Sequence, residues 1–248
     1  MSIIAILSIA LQVGLIVHVI KTGRNWLWLW VLIPPAIGLF GCIAYIAVEI
    51  IPDLFRSRTG QRTKRGLNKV LDPHADLRRY ESEARIGGNV ASLQRYAEEL
   101  TRQGRYDEAI AEFRKALTGL YEHDPNIMLG IARAQFGKGE PAAARATLDD
   151  LIRLNPDFKS AEGHLLYARA LETEGNVTKA MEEYKALAPS YPGAEAAVRY
   201  ALLLKAQGQP DEARRVALDL LEEARIAPPH YRRAQKSWLD QAERLALR

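Results

Sequence analysis

Apolar and polar positions divide this chain into two parts. Residues 1–51 are almost continuously apolar, with Lys21, Arg24 and Glu49 as the charged residues. From about residue 73 onward, apolar residues instead recur three or four positions apart, with charged residues between them. This spacing is typical of amphipathic helices, whereas a long continuous run indicates a helix that is apolar all round. The sequence therefore predicts apolar helices in the first part and a packed helical array in the second.

Small residues recur in fixed positions through the second part. Four glycines lie 33 to 36 residues apart, and each has an alanine seven residues before it and another five residues after it. The glycines are Gly104, Gly139, Gly175 and Gly208; the alanines are Ala97, Ala132, Ala168 and Ala201 before them, and Ala109, Ala144, Ala180 and Ala213 after them. Glycine can end a helix with positive φ, and alanine lets two helices cross closely. A period in the thirties predicts a solenoid of helical hairpins.

An aromatic residue follows the second alanine in some units, as Phe113 and Tyr184 do, and Pro156 and Pro192 lie at hairpin ends. With these features the repeats resemble the tetratricopeptide repeat family over about residues 90–226. The resemblance implies an all-α solenoid of four repeats and a non-enzymatic scaffold that binds proteins or peptides. We expect a capping helix in residues 73–89 and another in residues 227–248, because the ends of an array must face water.

The apolar first part predicts a transmembrane helical hairpin with spans at about residues 2–20 and 26–51. A helix rises about 1.5 Å per residue, so each run can cross a hydrocarbon core of roughly 30 Å. Trp26, Trp28 and Trp30 begin the second run, where rings at the headgroup level are expected. A cleaved signal peptide is the alternative for the first run, but no basic region precedes it.

A basic segment, residues 52–72, follows the second apolar run. Its basic residues are Arg56, Arg58, Arg62, Lys64, Arg65 and Lys69. Positive charge beside a span is retained in the cytoplasm, so we expect a bacterial inner-membrane protein with cytoplasmic repeats. The segment is also expected to contact anionic lipid. No nucleic-acid partner is predicted, because no aromatic stacking residues accompany the basic ones.

The first part has a resemblance of its own. The stretch from Leu15 to Trp26, followed by Pro34-Pro35, Gly38 and Tyr45, is similar to the N-terminal membrane segment of cardiolipin synthases of the phospholipase D superfamily. Those enzymes use paired His-x-Lys-x-x-x-x-Asp motifs, and no histidine here has a lysine two residues on. The resemblance therefore implies, as an alternative to the scaffold, an accessory subunit of phospholipid metabolism that acts through its membrane segment.

Candidate catalytic chemistry is absent from the sequence. Cys42 is the single cysteine, which excludes an internal disulfide and a multi-cysteine metal site. The repeat glycines are turn residues and do not form a phosphate-binding loop. His164 has no partner at metal-ligand spacing, so it is interpreted as a packed or interhelical histidine. We expect no enzyme activity, no metal and no cofactor.

In tetratricopeptide arrays the first helices of the hairpins line a concave groove. By that resemblance the groove residues are Gln94, Glu98, Arg102, Leu129, Arg133, Phe136, Leu165, Arg169, Glu172, Val198, Leu202 and Lys205. Arg133 and Arg169 take equivalent positions in neighbouring repeats. Guanidinium groups beside apolar side chains suit an extended peptide with an acidic residue between apolar ones. The alternative is that the arginines only pair with Glu98 and Glu172. The chaperone-tail clamp of this family is not predicted, because Gln94 and Glu98 replace its lysine and asparagine.

Overall fold

The computed structural model describes residues 3–22, 38–50, 72 and 74–247. It divides the chain into two compact units, Met1–Ala75 and Asp76–Arg248. Every regular element in the described ranges is helical. The expected all-α class is therefore confirmed for these residues.

The first unit contains two packed helices. Helix α1 spans Ile3–Thr22, and α2 spans Gly38–Tyr45 and continues as a π-helical turn, Ile46–Ile50. The two helices share a small apolar cluster made of Leu15, Val19, Cys42 and Tyr45. The Tyr45 hydroxyl also lies 3.0 Å from Nδ1 of His18. The described parts of the apolar runs thus form helices that pack on each other.

The predicted membrane crossing is corrected by the structure. Among the described residues, we find no helix whose length and hydropathy together would carry it across a membrane. The expected location in the cytoplasmic membrane, with the repeats at its cytoplasmic face, is therefore wrong.

Two stretches of the sequence before Ala75 lie outside the described residues. This holds for residues 23–37, with the three tryptophans and Pro34-Pro35, and for residues 51–71. The membrane-surface residues expected there, namely Arg56, Arg58, Arg62, Lys64, Arg65 and Lys69, all lie outside the described ranges.

The second unit is a succession of antiparallel helices. Helix α3 (Ala75–Gly87) comes first, and its Leu77 joins the core of the first hairpin. The hairpins are α4 (Val90–Arg102) with α5 (Tyr106–Ala116), α6 (Pro125–Lys138) with α7 (Pro141–Leu154), α8 (Ala161–Thr173) with α9 (Val177–Leu187), and α10 (Glu195–Ala206) with α11 (Pro210–Ile226). The helices of the four hairpins pack on their neighbours in sequence. Two final helices, α12 (Pro229–Ala234) and α13 (Lys236–Ala246), close the array.

The repeated small residues have the roles that their spacing predicts. The turn glycines Gly104, Gly139, Gly175 and Gly208 have φ values of 76°, 89°, 79° and 77°. Positive φ in this region is unfavourable for residues with a Cβ, so the turns require glycine. The eight phased alanines are all at most 1% exposed. Both predictions are confirmed.

The C-terminal end differs from the single amphipathic helix that the sequence indicates. The helix is interrupted at Gln235, between α12 and α13. The side-chain Oε1 of Gln235 accepts a hydrogen bond of 3.1 Å from the backbone N–H of Ala194, just before α10. The interruption thus satisfies a donor at the start of another helix, which a helical pattern alone does not reveal. Beyond it, Leu239, Ala242 and Leu245 pack into the core of the last hairpin.

Candidate functional site

The predicted groove residues lie on α4, α6, α8 and α10. We call the surface that these residues form the first-helix face. Three of them, Leu129, Leu165 and Val198, are buried in the core between repeats. The other residues of the predicted set remain half-buried or exposed. They are Gln94, Glu98, Arg102, Arg133, Phe136, Arg169, Glu172, Leu202 and Lys205. The accessible part of this face is therefore more polar than the sequence indicates.

Arg169 joins two repeats. Its guanidinium carbon lies 4.9 Å from the ring centroid of Phe136, one repeat earlier. Its Nε lies 3.7 Å from Oε1 of Glu195, one repeat later. That Nε atom is buried and has no hydrogen-bond partner. The guanidinium is thus held by a cation–π contact and a neighbouring carboxylate, without a close hydrogen bond at Nε.

Arg199, on α10, binds the same carboxylate, Glu195, and a second one. It donates from Nε to Glu195 at 2.8 Å and from Nη1 to Oε2 of Glu172 at 3.0 Å. Its guanidinium carbon also lies 5.4 Å from the ring centroid of Trp238. Burial lowers the pKa of Arg199, but its hydrogen bond to Glu195 and the nearby acidic groups outweigh that effect and raise it. Arg199 therefore stays charged and holds two carboxylates in place.

Glu172 has a second, buried partner. The hydroxyl of Tyr184, whose side chain is fully buried, donates to Oε2 of Glu172 at 2.6 Å. Burial, the hydrogen bond to Glu172 and its negative charge all raise the pKa of Tyr184. We call Arg169, Glu195, Arg199 and Glu172 the charge ladder. It has two positive and two negative groups, so its net charge is zero.

Arg133 lies apart from this ladder. It pairs with Glu162 at the start of α8, and the two side chains are 44% and 72% exposed. On α4, Gln94 donates to Glu98 at 3.1 Å and Arg102 pairs with Glu99. Both predicted arginines thus have carboxylate partners, but these are Glu162 and Glu195. The sequence alternative named Glu98 and Glu172.

A cleft of about 730 Å³ opens between α7 and the third hairpin; we call it the inter-repeat cleft. Its apolar lining is Leu148, Leu151, Ile152, Phe158 and Leu187, and its polar lining includes Asp149, Lys159, His164, Tyr167 and Glu183. Nε2 of His164 lies 2.7 Å from Oε2 of Glu183, which confirms that this histidine is interhelical. Burial and a hydrogen bond with Asp149 raise the pKa of Tyr167.

The sequence did not indicate the inter-repeat cleft, because its walls come from three helices whose relative placement is not a local property. Glu183, on α9, pairs with His164, on α8. Within the described ranges, no three His, Cys, Asp or Glu side chains are grouped so as to hold a metal ion.

Comparison with known proteins bears on the repeats. Residues 100–170 match the tetratricopeptide repeat family model. The crystal structure of MamA is similar, with a TM-score of 0.54 and 21% identity, over 68% of this chain and 95% of that one. A thermophilic TPR protein of Thermus thermophilus gives a TM-score of 0.50 and 21% identity, over 75% and 95% of the two chains. No curated protein matches the sequence.

The array has the tetratricopeptide repeat fold. This confirms the resemblance drawn from the phased glycines and alanines. Tetratricopeptide repeat proteins are generally non-catalytic scaffolds, so the fold supports protein or peptide partners. The comparisons give no support to the likeness between residues 1–51 and the membrane segment of cardiolipin synthases. The accessory role in phospholipid metabolism that depended on that likeness therefore has no support either.

Proposed function

We propose that this tetratricopeptide array is a non-catalytic scaffold that binds an extended segment of a partner protein, with an acidic residue between apolar ones, along its first-helix face. The observation that supports this most directly is the solvent exposure of Arg133 and of its ion-pair partner. Its side chain is 44% exposed, and its partner Glu162 is 72% exposed. An ion pair this open to solvent contributes at most about 1 kcal/mol, so a carboxylate of a bound peptide can replace Glu162.

Arg169 supplies a second, better-fixed point one repeat away. Phe136 and Glu195 position its guanidinium, yet the side chain is still 35% exposed. Because the side chain is already ordered, a ligand that reaches it has little side-chain entropy to overcome. The half-buried ring of Phe136 and the exposed Leu202 offer apolar contact on the same face.

The charge ladder also limits what this face can bind. The charges of Arg169 and Arg199 are offset by those of Glu172 and Glu195. A face with balanced charges does not attract polyanions at long range. It selects instead for a single acidic group placed against Arg133, flanked by apolar side chains.

The test is a selection of nine-residue peptides displayed against the full chain, followed by fluorescence anisotropy with the selected peptides. We expect the peptides to be enriched in Asp or Glu. Arg133→Gln should weaken their binding about tenfold, because a charge-assisted hydrogen bond is lost. Arg153→Gln is the matched control, since Arg153 is an exposed arginine paired with Asp150 on the second helix α7.

A third variant should strengthen the binding of acidic peptides instead of weakening it. Glu162→Gln removes the internal competitor for Arg133, so acidic peptides should bind more tightly than to the wild type. Peptides without acidic enrichment, or equal binding to Arg133→Gln and wild type, would contradict the proposed face.

A further inference from the structure

We propose that this chain forms a reciprocal dimer, in which Leu120 and Tyr121 of each copy occupy the inter-repeat cleft of the other. The loop between α5 and α6 carries these two residues; we call Gly119–Glu122 the loop tip. The proposal uses a different surface from the first-helix face and does not depend on peptide binding there.

The loop tip presents apolar side chains to solvent from an ordered backbone. Leu120 is 101% exposed and Tyr121 is 46% exposed. The backbone N–H of Tyr121 donates to Thr118 at 3.0 Å, and that of Glu122 donates to Gly119 at 3.2 Å. Gly119 has φ 56°, which places it in the left-handed region that favours glycine. A fully exposed leucine fixed in a hydrogen-bonded turn is pre-organised for contact with another surface.

The loop tip and the inter-repeat cleft lie at the same edge of the array. Nδ2 of Asn155 donates to the backbone oxygen of His123 at 3.0 Å, which ties the base of the loop to the end of α7. Asn155 stands in the sequence between Ile152 and Phe158, which both line the cleft. Because the two surfaces are adjacent, a two-fold axis passing between two copies can place each tip in the other cleft.

The chemistry of the two surfaces is complementary. Leu148, Leu151, Phe158 and Leu187 give the cleft an apolar lining, and its volume of about 730 Å³ is ample for two side chains. A tyrosine hydroxyl entering the cleft meets polar partners, including the carboxylate of Asp149.

Charge complementarity argues in the same direction. The acidic Glu122 belongs to the loop tip and is exposed to solvent. At the cleft, the basic Lys159 is exposed, while the carboxylates of Asp149 and Glu183 are already paired with Arg145 and His164. Each half of the contact is thus present in one chain, and this favours a second copy over an unrelated partner as the occupant of the cleft. Two small contacts indicate a weak interface, so we expect a dissociation constant on the order of 10–100 µM.

The first experiment is sedimentation equilibrium of the full chain from about 2 to about 300 µM, a range that brackets this affinity. The wild type should pass from monomer to dimer mass. Leu120→Asp/Tyr121→Ser should stay monomeric throughout, and so should Ile152→Asp, which places a charge in the cleft at an exposed position. Leu218→Asp, at an exposed leucine on α11, is the matched control and should dimerise like the wild type.

The second experiment locates the contact. Tyr121 is replaced by photoreactive benzoylphenylalanine, and ¹⁴N and ¹⁵N chains are mixed before irradiation. Cross-links between isotopically different chains, at residues 148–164 or 183–190, would support the proposal. Three results would overturn it: a monomer at all concentrations, cross-links confined to the same chain, or inter-chain cross-links at other surfaces.

Discussion

The guanidinium carbon of Arg169 lies 4.9 Å from the ring centroid of Phe136, and this contact joins α8 to α6. On its other side, Arg169 approaches Glu195 at the start of α10. Arg133 makes the equivalent contact one repeat earlier, with Glu162 at the start of α8. Each of these arginines thus reaches a carboxylate in the first turn of the following first helix. Acidic residues are favoured there because the helix dipole is positive at its N-terminus.

The contact between Arg169 and Phe136 should contribute measurably to stability. We expect a double-mutant cycle of Phe136→Leu and Arg169→Met to give a coupling energy of about 1 kcal/mol. Urea unfolding of the four proteins measures it. The pair Phe136→Leu and Arg153→Met is the control. Its coupling energy should be close to zero, since Arg153 lies on α7 and pairs there with Asp150. Equal couplings in the two cycles would show that the ring and the guanidinium do not interact.

Glu172 should matter more to stability than either partner that it binds. Glu172→Ala leaves the buried hydroxyl of Tyr184 without an acceptor and removes one carboxylate from Arg199. We expect it to lower the free energy of unfolding by about 3 kcal/mol, because buried polar groups lose their partners. Tyr184→Phe removes only a donor and should cost about 1 kcal/mol.

Chemical denaturation measures the free energy of unfolding of Glu172→Ala and Tyr184→Phe. Glu182→Ala, at an exposed glutamate on α9, serves as the control and should change stability by less than about 0.5 kcal/mol. If Tyr184→Phe proved as costly as Glu172→Ala, the buried hydroxyl rather than the carboxylate would be the centre of this network.

Alkaline pH should reverse the effect of Tyr184→Phe. The native state raises the pKa of Tyr184 above its ordinary value of 10.0. The stability that this group contributes is complete below pH 10 and is lost as the pH rises towards the folded pKa, because the unfolded tyrosine ionises first. The loss approaches about 1.4 kcal/mol per pH unit. The wild type should therefore be more stable than Tyr184→Phe at pH 8 and no more stable at pH 11.

Denaturation curves of the wild type and Tyr184→Phe at both pH values measure this reversal. The other tyrosines are common to the two proteins, so their ionisation cancels in the difference. A constant difference from pH 8 to pH 11 would mean that Tyr184 ionises as readily in the native as in the unfolded state.

The sequence predicted what is local and periodic. The turn at Gly139 needs positive φ, and Ala132 needs close helix packing; both requirements depend on a single residue type that repeats along the chain. The position of Arg169 was also predictable, but its partner was not. A carboxylate 26 residues away becomes a neighbour only through the angle between successive hairpins. Arg199 was missed because its spacing of four from Glu195 is common on exposed helices.

The inter-repeat cleft and the membrane hairpin show the limits of pattern reasoning. The cleft depends on the gap between α7 and the third hairpin, to which no single sequence window refers. In residues 1–51, hydropathy suggested two spans, yet no helix among the described residues has the length and hydropathy to cross a membrane. An apolar run sets the preferred environment of a segment, but it does not fix the length of the helix within it.

Two helical glycines should respond in opposite ways to alanine. A Cβ at Gly130, on α6, would lie 2.5 Å from Cζ of Phe113, which is itself buried. Gly130→Ala must therefore displace the ring or the helix, and we expect a loss of about 1–3 kcal/mol. At Gly163, on α8, the nearest atom would be the Cβ of Ser160 at 3.4 Å, and φ is not positive. Gly163→Ala should thus gain about 0.5–1 kcal/mol from helix propensity. Thermal and urea unfolding of the two variants measure the contrast; a stabilising Gly130→Ala would show that α5 and α6 do not approach as closely as Phe113 and Gly130 indicate.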